Sequence, residues 1–336
     1  MEREKITHIY KGPRAPLPCL CLSLDACTVY AGCWDKLIWS WEVSTGTRGK
    51  TFRGHTDFVK AVLYFQDPWN KQDRLVSGGA EGDILVWDVT NGQRLAAVKG
   101  GSRAIQCLAQ DPLSNSSRIF VSFSNPEIKY LDLENLAVSP PILAHATSVH
   151  KLLFDADGDL WTASADQTAK HLVRNDKDKA DRDDQDNNSD NIIDNDHKDW
   201  ETEDAPLHHP DFVRDLALHE PHGWLITACR DENIRVWDIA TGKLHHTFVG
   251  HFGEVTGLCL LSYGYGQVVS VSIDGTMRRW DLESSALKRP GKREGQRNGG
   301  DEAINDQEKN ENNANASLMT EEEEAELEEL MRDDGS

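Results

Sequence analysis

The chain has 336 residues, enough for one large all-β domain or two ordinary ones. Its formal net charge of −21 argues against docking on a nucleic-acid backbone or an anionic membrane surface. That charge is uneven: residues 174–204 hold 13 Asp/Glu against 5 Lys/Arg, and residues 284–336 hold 15 against 7, so the remainder has the balance of an ordinary soluble domain.

No apolar run approaches the roughly 20 residues that cross a bilayer, and the start, MEREKITHIYKG, lacks a signal-peptide pattern. Seven cysteines, odd in number and without CxxC spacing, read as reduced core residues of a cytoplasmic or nuclear protein. No cofactor motif and no metal-ligand spacing stands out, so none is expected.

Taken in order, the chain repeats one unit. Gly-His or a substitute is followed by an apolar strand, a second strand ending in small residues, an acid, a third strand, and Trp six positions after the acid. The first copy pairs Asp35 with Trp41. The second starts at Gly54-His55 and pairs Glu81 with Trp87. The third is degenerate, with Asn125 and Leu131. The fourth starts at Ala144-His145 and pairs Asp166 with Leu172. The fifth starts at His208-His209, pairs Asp231 with Trp237, and ends Trp237-Asp238 then Thr241-Gly242. The sixth starts at Gly250-His251 and pairs Asp274 with Trp280.

Gly-His, acid, Trp-Asp and Thr-Gly at one repeated spacing resembles the WD-repeat β-propeller family, over about residues 5–283. The resemblance implies an all-β fold in which each repeat is a four-stranded antiparallel blade and the blades ring a channel. Six blades are recognisable and seven are possible. It also implies a hydrogen-bonded tetrad within a blade: His251, Ser272, Asp274 and Trp280 fill all four positions. The fifth blade offers His209, Asp231 and Trp237, with Cys229 at the hydroxyl position. Because these His/acid/hydroxyl sets recur once per blade, they read as scaffolding and not as catalytic triads. No strand pattern follows Leu282. Residues 5–12, KITHIYKG, resemble residues 243–250, KLHHTFVG, and are expected to close the ring with an N-terminal strand.

The domain reading is a propeller over 1–283, interrupted by a disordered acidic loop at 174–204 in blade four, and a flexible polar tail over 284–336. The loop carries no D-x-[DN]-x-[DN]-G calcium pattern. Residues 288–297, KRPGKREGQR, have the spacing of a short nuclear localisation signal. At the end of the tail, Thr320 and Glu323 form a capping box, and Leu327, Leu330 and Met331 follow at helical spacing. That predicts a short acidic helix that docks on a partner or on the propeller.

The family's usual binding face carries two sets of positions. One lies just before each blade acid: Trp34, Ala80, Ser124, Ala165, Arg230 and Ile273. The other lies early in each inner strand: Pro18, Lys60, Gln106, His150, Arg214 and Thr256. The partner-binding candidates are therefore Trp34, Lys60, Gln106, His150, Arg214 and Arg230, a basic cluster with an aromatic anchor suited to an acidic or phosphorylated peptide. The expected function is a non-catalytic interaction scaffold, a subunit or adaptor of a multiprotein complex. The alternatives are a cullin-type ubiquitin-ligase receptor, whose Trp-Asp-x-Arg pattern is absent from Trp87, Trp237 and Trp280, and a propeller hydrolase, for which no organised nucleophile stands out.

Overall fold

A computed structural model describes residues 12–67, 70–113, 117–174, 200–202, 205–261 and 266–282. The chain divides into two units, Met1–Arg289 and Pro290–Ser336. The second, with its expected helix, lies outside the described residues, as do residues 1–11 and most of the acidic loop.

The described part of the first unit is six antiparallel sheets in chain order. Sheet one is β1 (Cys19–Leu22), β2 (Thr28–Gly32), β3 (Leu37–Glu42) and β4 (Arg48–Arg53). Sheet two is β5 (Val59–Gln66), β6 (Asp73–Gly79), β7 (Asp83–Asp88) and β8 (Arg94–Lys99). Sheet three is β9 (Ile105–Gln110), β10 (Arg118–Phe123) and β11 (Ile128–Asp132), with bridges from Ile128 to Ile142 and from Leu131 to Val138 in place of a fourth strand. Sheet four is β12 (Val149–Phe154), β13 (Leu160–Ser164), β14 (Thr168–Arg174) and β15 (Trp200–Thr202), with β16 (Leu207–His208) pairing the start of β14. Sheet five is β17 (Val213–His219), β18 (Trp224–Cys229), β19 (Asn233–Asp238) and β20 (Lys243–Val249). Sheet six is β21 (Val255–Leu261), β22 (Gln267–Ser272) and β23 (Met277–Asp281).

Arg174 and residues 200–202, read as loop from composition, are strand. Trp200 explains the difference. Its ring meets Phe120 at 5.4 Å and Phe154 at 6.4 Å, and the Arg174 guanidinium lies 5.0 Å over it. Ring burial of this kind stabilises a three-residue strand that its acidic neighbours alone would not.

Consecutive sheets pack on one another through apolar side chains, in clusters that join sheet one to two, two to three, three to four, four to five and five to six. Close approach requires small residues on one side. A Cβ on Gly78 would come within 2.4 Å of Ile105 Cγ2, and one on Gly32 within 2.8 Å of Val59 Cγ1. Gly82, at φ +82°, turns β6 into β7 where a Cβ would lie 2.5 Å from the Gly101 carbonyl oxygen.

The blade network differs from the expected one at the hydroxyl. In sheet six, Ser270 takes the place expected of Ser272. The Trp280 indole N–H donates to Ser270 Oγ at 2.8 Å, and His251 Nε2 lies 2.7 Å from the same oxygen. Ser272 instead donates to the Gly253 carbonyl and accepts the Asp274 amide. Sheets two, four and five follow the same rule, with Ser77, Thr162 and Thr227 facing His55, His145 and His209. Cys229 is therefore no substitute for a hydroxyl, because Thr227 supplies one. Position i+2 lies on the same face of a strand as position i, so periodicity alone cannot choose between them. The choice follows from sheet register, which sets Ser270 and Ser77 next to the indoles.

Protonation in the chain is directed. His55 Nδ1 lies 2.6 Å from Glu81 Oε1, which can only accept, so Nδ1 carries the proton. Burial lowers the His55 pKa and keeps the ring neutral, leaving Nε2 to accept from Ser77, whose oxygen in turn accepts the Trp87 indole N–H at 2.8 Å. Sheet five breaks the pattern at the acid. Asp231 pairs with Arg235 at 3.0 and 2.5 Å, and His209 Nδ1 donates to the Leu207 carbonyl at 3.0 Å. In sheet one it is Trp39, not Trp41, whose indole reaches the repeat acid, Asp35, at 2.9 Å.

Candidate protein-binding face

The inner strands β5, β9, β12, β17 and β21 share one irregularity at the same place. The register with the next strand skips Lys60, Gln106, His150, Arg214 and Thr256 respectively. These are β-bulges, which leave one residue unpaired and re-aim its side chain. The residue before each bulge is Val59, Ile105, Val149, Val213 or Val255, and every one is fully buried. A β-branched residue is thus pinned in the core, and the residue after it is re-aimed out of the ladder. All five bulge residues, together with Pro18 just before β1, line a single cavity of about 290 Å³.

The residues before the blade acids lie at the same end. The amides of Ala80, Ser124, Ala165, Arg230 and Ile273 donate to the carbonyls of Phe58, Ala104, Ser148, Phe212 and Glu254, each two residues before a bulge, at 2.8 to 3.0 Å. The structure therefore brings both expected sets to one face. Trp34 stacks on Phe58 at 5.1 Å and 13°, and the two are 44% and 40% exposed. Arg230 lies 5.1 Å over Phe212. Phe58 and Phe212 are the aromatic residues that sequence reasoning missed. The shared strings Asp57-Phe58-Val59-Lys60 and Asp211-Phe212-Val213-Arg214 were the available signal.

The expected basic cluster is mostly compensated. Arg214 Nε bonds Glu254, and its Nη1 donates to His150 Nδ1 at 2.8 Å. Because guanidinium only donates, His150 accepts there and is neutral, and its Nε2–H donates to Ser148 Oγ at 3.1 Å. Burial, Arg214 and Lys60 push the His150 pKa down to about 4. Arg230 lies 3.9 Å from Asp211. Lys151 pairs with Asp215 at 2.9 Å, and Asp215 also takes the Leu258 amide from the next sheet. Lys60 differs. Among the described residues no carboxylate lies within 4.0 Å of it, and burial and the nearby Arg214 lower its pKa. Gln106 projects into the same cavity without a charge.

Among the described residues of this face no hydroxyl or thiol is set up as a nucleophile. Ser77, His55 and Glu81 have the distances of a triad, but Ser77 is fully buried and its oxygen is engaged by the Trp87 indole. Burial raises the Cys19 and Cys21 thiols to about 12, far from thiolate. Away from this face, Asp155, Asp159 and His171 bring ligand atoms within 4.8 Å of one another. Asp155 already accepts the amides of Asp157 and Asp159, and His171 faces Asp155 at 3.5 Å while stacking on Trp161 at 4.3 Å. Those contacts account for the cluster as a turn cap and a His–Asp pair.

Residues 46–88, 205–238 and 242–281 match the family model described as WD domain, G-beta repeat. An uncharacterized WD repeat-containing protein of Schizosaccharomyces pombe is 32% identical over 299 residues, covering 85% of this chain and 72% of that protein. The chain belongs to the WD-repeat family. Rat striatin is 23% identical over 291 residues, covering 82% of this chain and 29% of striatin. Mouse cilia- and flagella-associated protein 52 is 24% identical over 215 residues, covering 62% of this chain and 30% of that protein. The chain thus spans less than a third of these two longer relatives. As a WD-repeat protein it shares with them a repeated β scaffold, and the face described above varies from repeat to repeat on that scaffold.

Proposed function

We propose that this WD-repeat protein is a non-catalytic scaffold, a subunit or adaptor of a multiprotein complex, and that it grips a segment of a partner protein at the channel mouth. The observation that carries the reading is the set of five bulges that turn Lys60, Gln106, His150, Arg214 and Thr256 into one mouth, beneath the exposed Trp34–Phe58 stack. Aromatic and Arg side chains at a rim, around a partly desolvated cation, are what binding hot spots are made of. Among the described residues lining the mouth, Lys60 is the cation with no carboxylate within 4.0 Å, so an acidic or phosphorylated side chain reaching into the mouth is favoured over a broadly acidic peptide. The C-terminal segment with Leu327, Leu330 and Met331 is a second docking element in this reading, and cytoplasm or nucleus is the compartment.

The test is affinity purification of the full chain with Lys60→Glu and, separately, Trp34→Ala with Phe58→Ala. Both variants should lose the principal partner while melting as the parent does. Retention of that partner by both would remove the channel mouth as its site.

A further inference from the structure

At the far end of β17 from the channel mouth, two histidines are brought into contact. β17 ends at His219, a short 3-10 turn over Glu220–His222 follows, and β18 starts at Trp224. The turn is fixed by its sequence. Pro221 sets its own φ inside it. Gly223, at φ 61° in the left-handed region, closes it by donating its amide to the Glu220 carbonyl. Side chains three apart eclipse in a 3-10 turn, which sets His219 against His222.

Their Nδ1 atoms lie 3.2 Å apart and their ring centroids 4.8 Å apart. An in-line N–H···N hydrogen bond of that length would hold the centroids about 5.5 Å apart, since a ring nitrogen stands roughly 1.1 Å from its centroid. The two rings are therefore canted off the line between their nitrogens. A tetrahedral ion that binds two imidazoles at about 2.0–2.1 Å keeps the nitrogens roughly 3.3 Å and the centroids about 5 Å apart. The pair stands close to the spacing that one shared ion would set.

The neighbours hold both rings. His222 stacks on Trp224 at 4.5 Å and 23°, and His219, 9% exposed, lies 5.9 Å from the same indole. The other side of the pair is open. His222 is exposed, and a cavity of about 320 Å³ lined by His219, Glu220, Pro221 and Gln267 gives room for water. Among the described residues no third His, Cys, Asp or Glu brings a ligand atom within 4.8 Å of both.

We infer that His219 and His222 bind a divalent transition-metal ion, Zn²⁺ or Cu²⁺, through their Nδ1 atoms. Two protein ligands, with water completing the sphere, make an exchangeable site; a structural zinc site takes four. Imidazole selects these ions over Mg²⁺ and Ca²⁺, which take oxygen ligands. The ring that donates through Nδ1 in the free protein moves that proton to Nε2, so the ion meets two neutral imidazoles. Arg214 and His219 lie at opposite ends of β17, about 16 Å of strand apart, so the site stands independently of the channel-mouth reading.

The test is calorimetric titration of the full chain with Zn²⁺, and titration with Cu²⁺ followed by tryptophan fluorescence. One Zn²⁺ should bind per chain and be lost in His222→Ala. Because the chain has 13 histidines, the comparison with that variant decides the site. His222 is exposed, so the variant should melt as the parent does. Cu²⁺ should bind more tightly than Zn²⁺ and quench the indole beside it, with that quenching lost in His222→Ala. Mg²⁺ should do neither. In a chain with ¹⁵N-labelled histidine, Zn²⁺ should move the Nδ1 resonances of two residues and leave their Nε2 atoms protonated. Equal Zn²⁺ binding by the parent and His222→Ala, an ion held through Nε2, or no saturable binding would overturn the inference. Lys60→Glu should take up Zn²⁺ as the parent does, so failure at the channel mouth and failure here are read separately.

Discussion

Thr227→Val tests the blade network at the point where the strand register and the repeat pattern disagree. Thr227 is fully buried. Its oxygen accepts the Trp237 indole N–H at 3.1 Å, and its proton goes to His209 Nε2 at 2.8 Å. Valine keeps the shape and removes both bonds, which strands one buried donor and one buried acceptor. Each orphaned group costs about 1–3 kcal/mol, so the variant should lose roughly 2–4 kcal/mol. For a domain of this size that lowers the melting temperature by something on the order of 5–10 °C. Urea unfolding followed by tryptophan fluorescence measures it, with the midpoint compared at unchanged slope. The partner experiment is Cys229→Ser. If Cys229 stood at the hydroxyl position, serine there would complete a tetrad and stabilise the chain. The buried Cys229 thiol instead contacts the Asp211 carbonyl at 3.3 Å, so serine should bring no gain. A loss below about 1 kcal/mol in Thr227→Val, or a stabilised Cys229→Ser, would refute the assignment.

Acid should destabilise the fold between the ordinary histidine pKa of 6.5 and about 4, because burial and Arg235 push His209 down to about 4. The unfolded chain binds the proton first, so stability is full above pH 6.5 and falls as pH drops through that window, which midpoints at stepped pH would show. Leu20→Ala should cost almost nothing and Leu216→Ala about 2–5 kcal/mol, although they hold the same repeat position; equal costs by urea titration would show that Leu20 is buried. Arg214→Glu should destabilise where Lys60→Glu does not, since it sets a second carboxylate against Glu254 and withdraws the donor on His150; identical melting curves would contradict the pairing. Deleting residues 317–336 should leave cooperative unfolding of the sheets unchanged by circular dichroism.

Much of the scaffold is readable from residue types. Gly-His, the blade acid and Trp recur because each answers a local need: a turn, an acceptor for the His ring, a large apolar face. The hydroxyl position is readable as well. Sheets four and six carry a hydroxyl at both candidate positions, Thr162 and Ser164, Ser270 and Ser272. Sheets two and five carry one only at Ser77 and Thr227. Counting back ten residues from Trp87, Trp237 and Trp280 lands on Ser77, Thr227 and Ser270, so the shared offset carried the answer. What residue types do not show is pairing. Nothing local says that Arg214 meets Glu254, forty residues on, or that Asp231 turns from His209 to Arg235. The bareness of Leu20 is likewise invisible in sequence, since it is the same residue type as Leu108, Leu152 and Leu216, which are buried.

The bulges explain how one repeat can be both rigid and variable. Each pins a Val or Ile in the core immediately before it, so that position tolerates little change. The next residue has no partner in the strand register, and the five copies hold Lys, Gln, His, Arg and Thr. The ladder itself therefore sets no demand on which residue stands there; what demand there is comes from neighbouring side chains, as at Arg214, which bonds Glu254 and His150. Lys60 is the clearest case. Its half-buried ammonium sits beside Arg214 with no carboxylate within 4.0 Å among the described residues, and burial and Arg214 lower its pKa, so a nearby anionic group would favour its charged form.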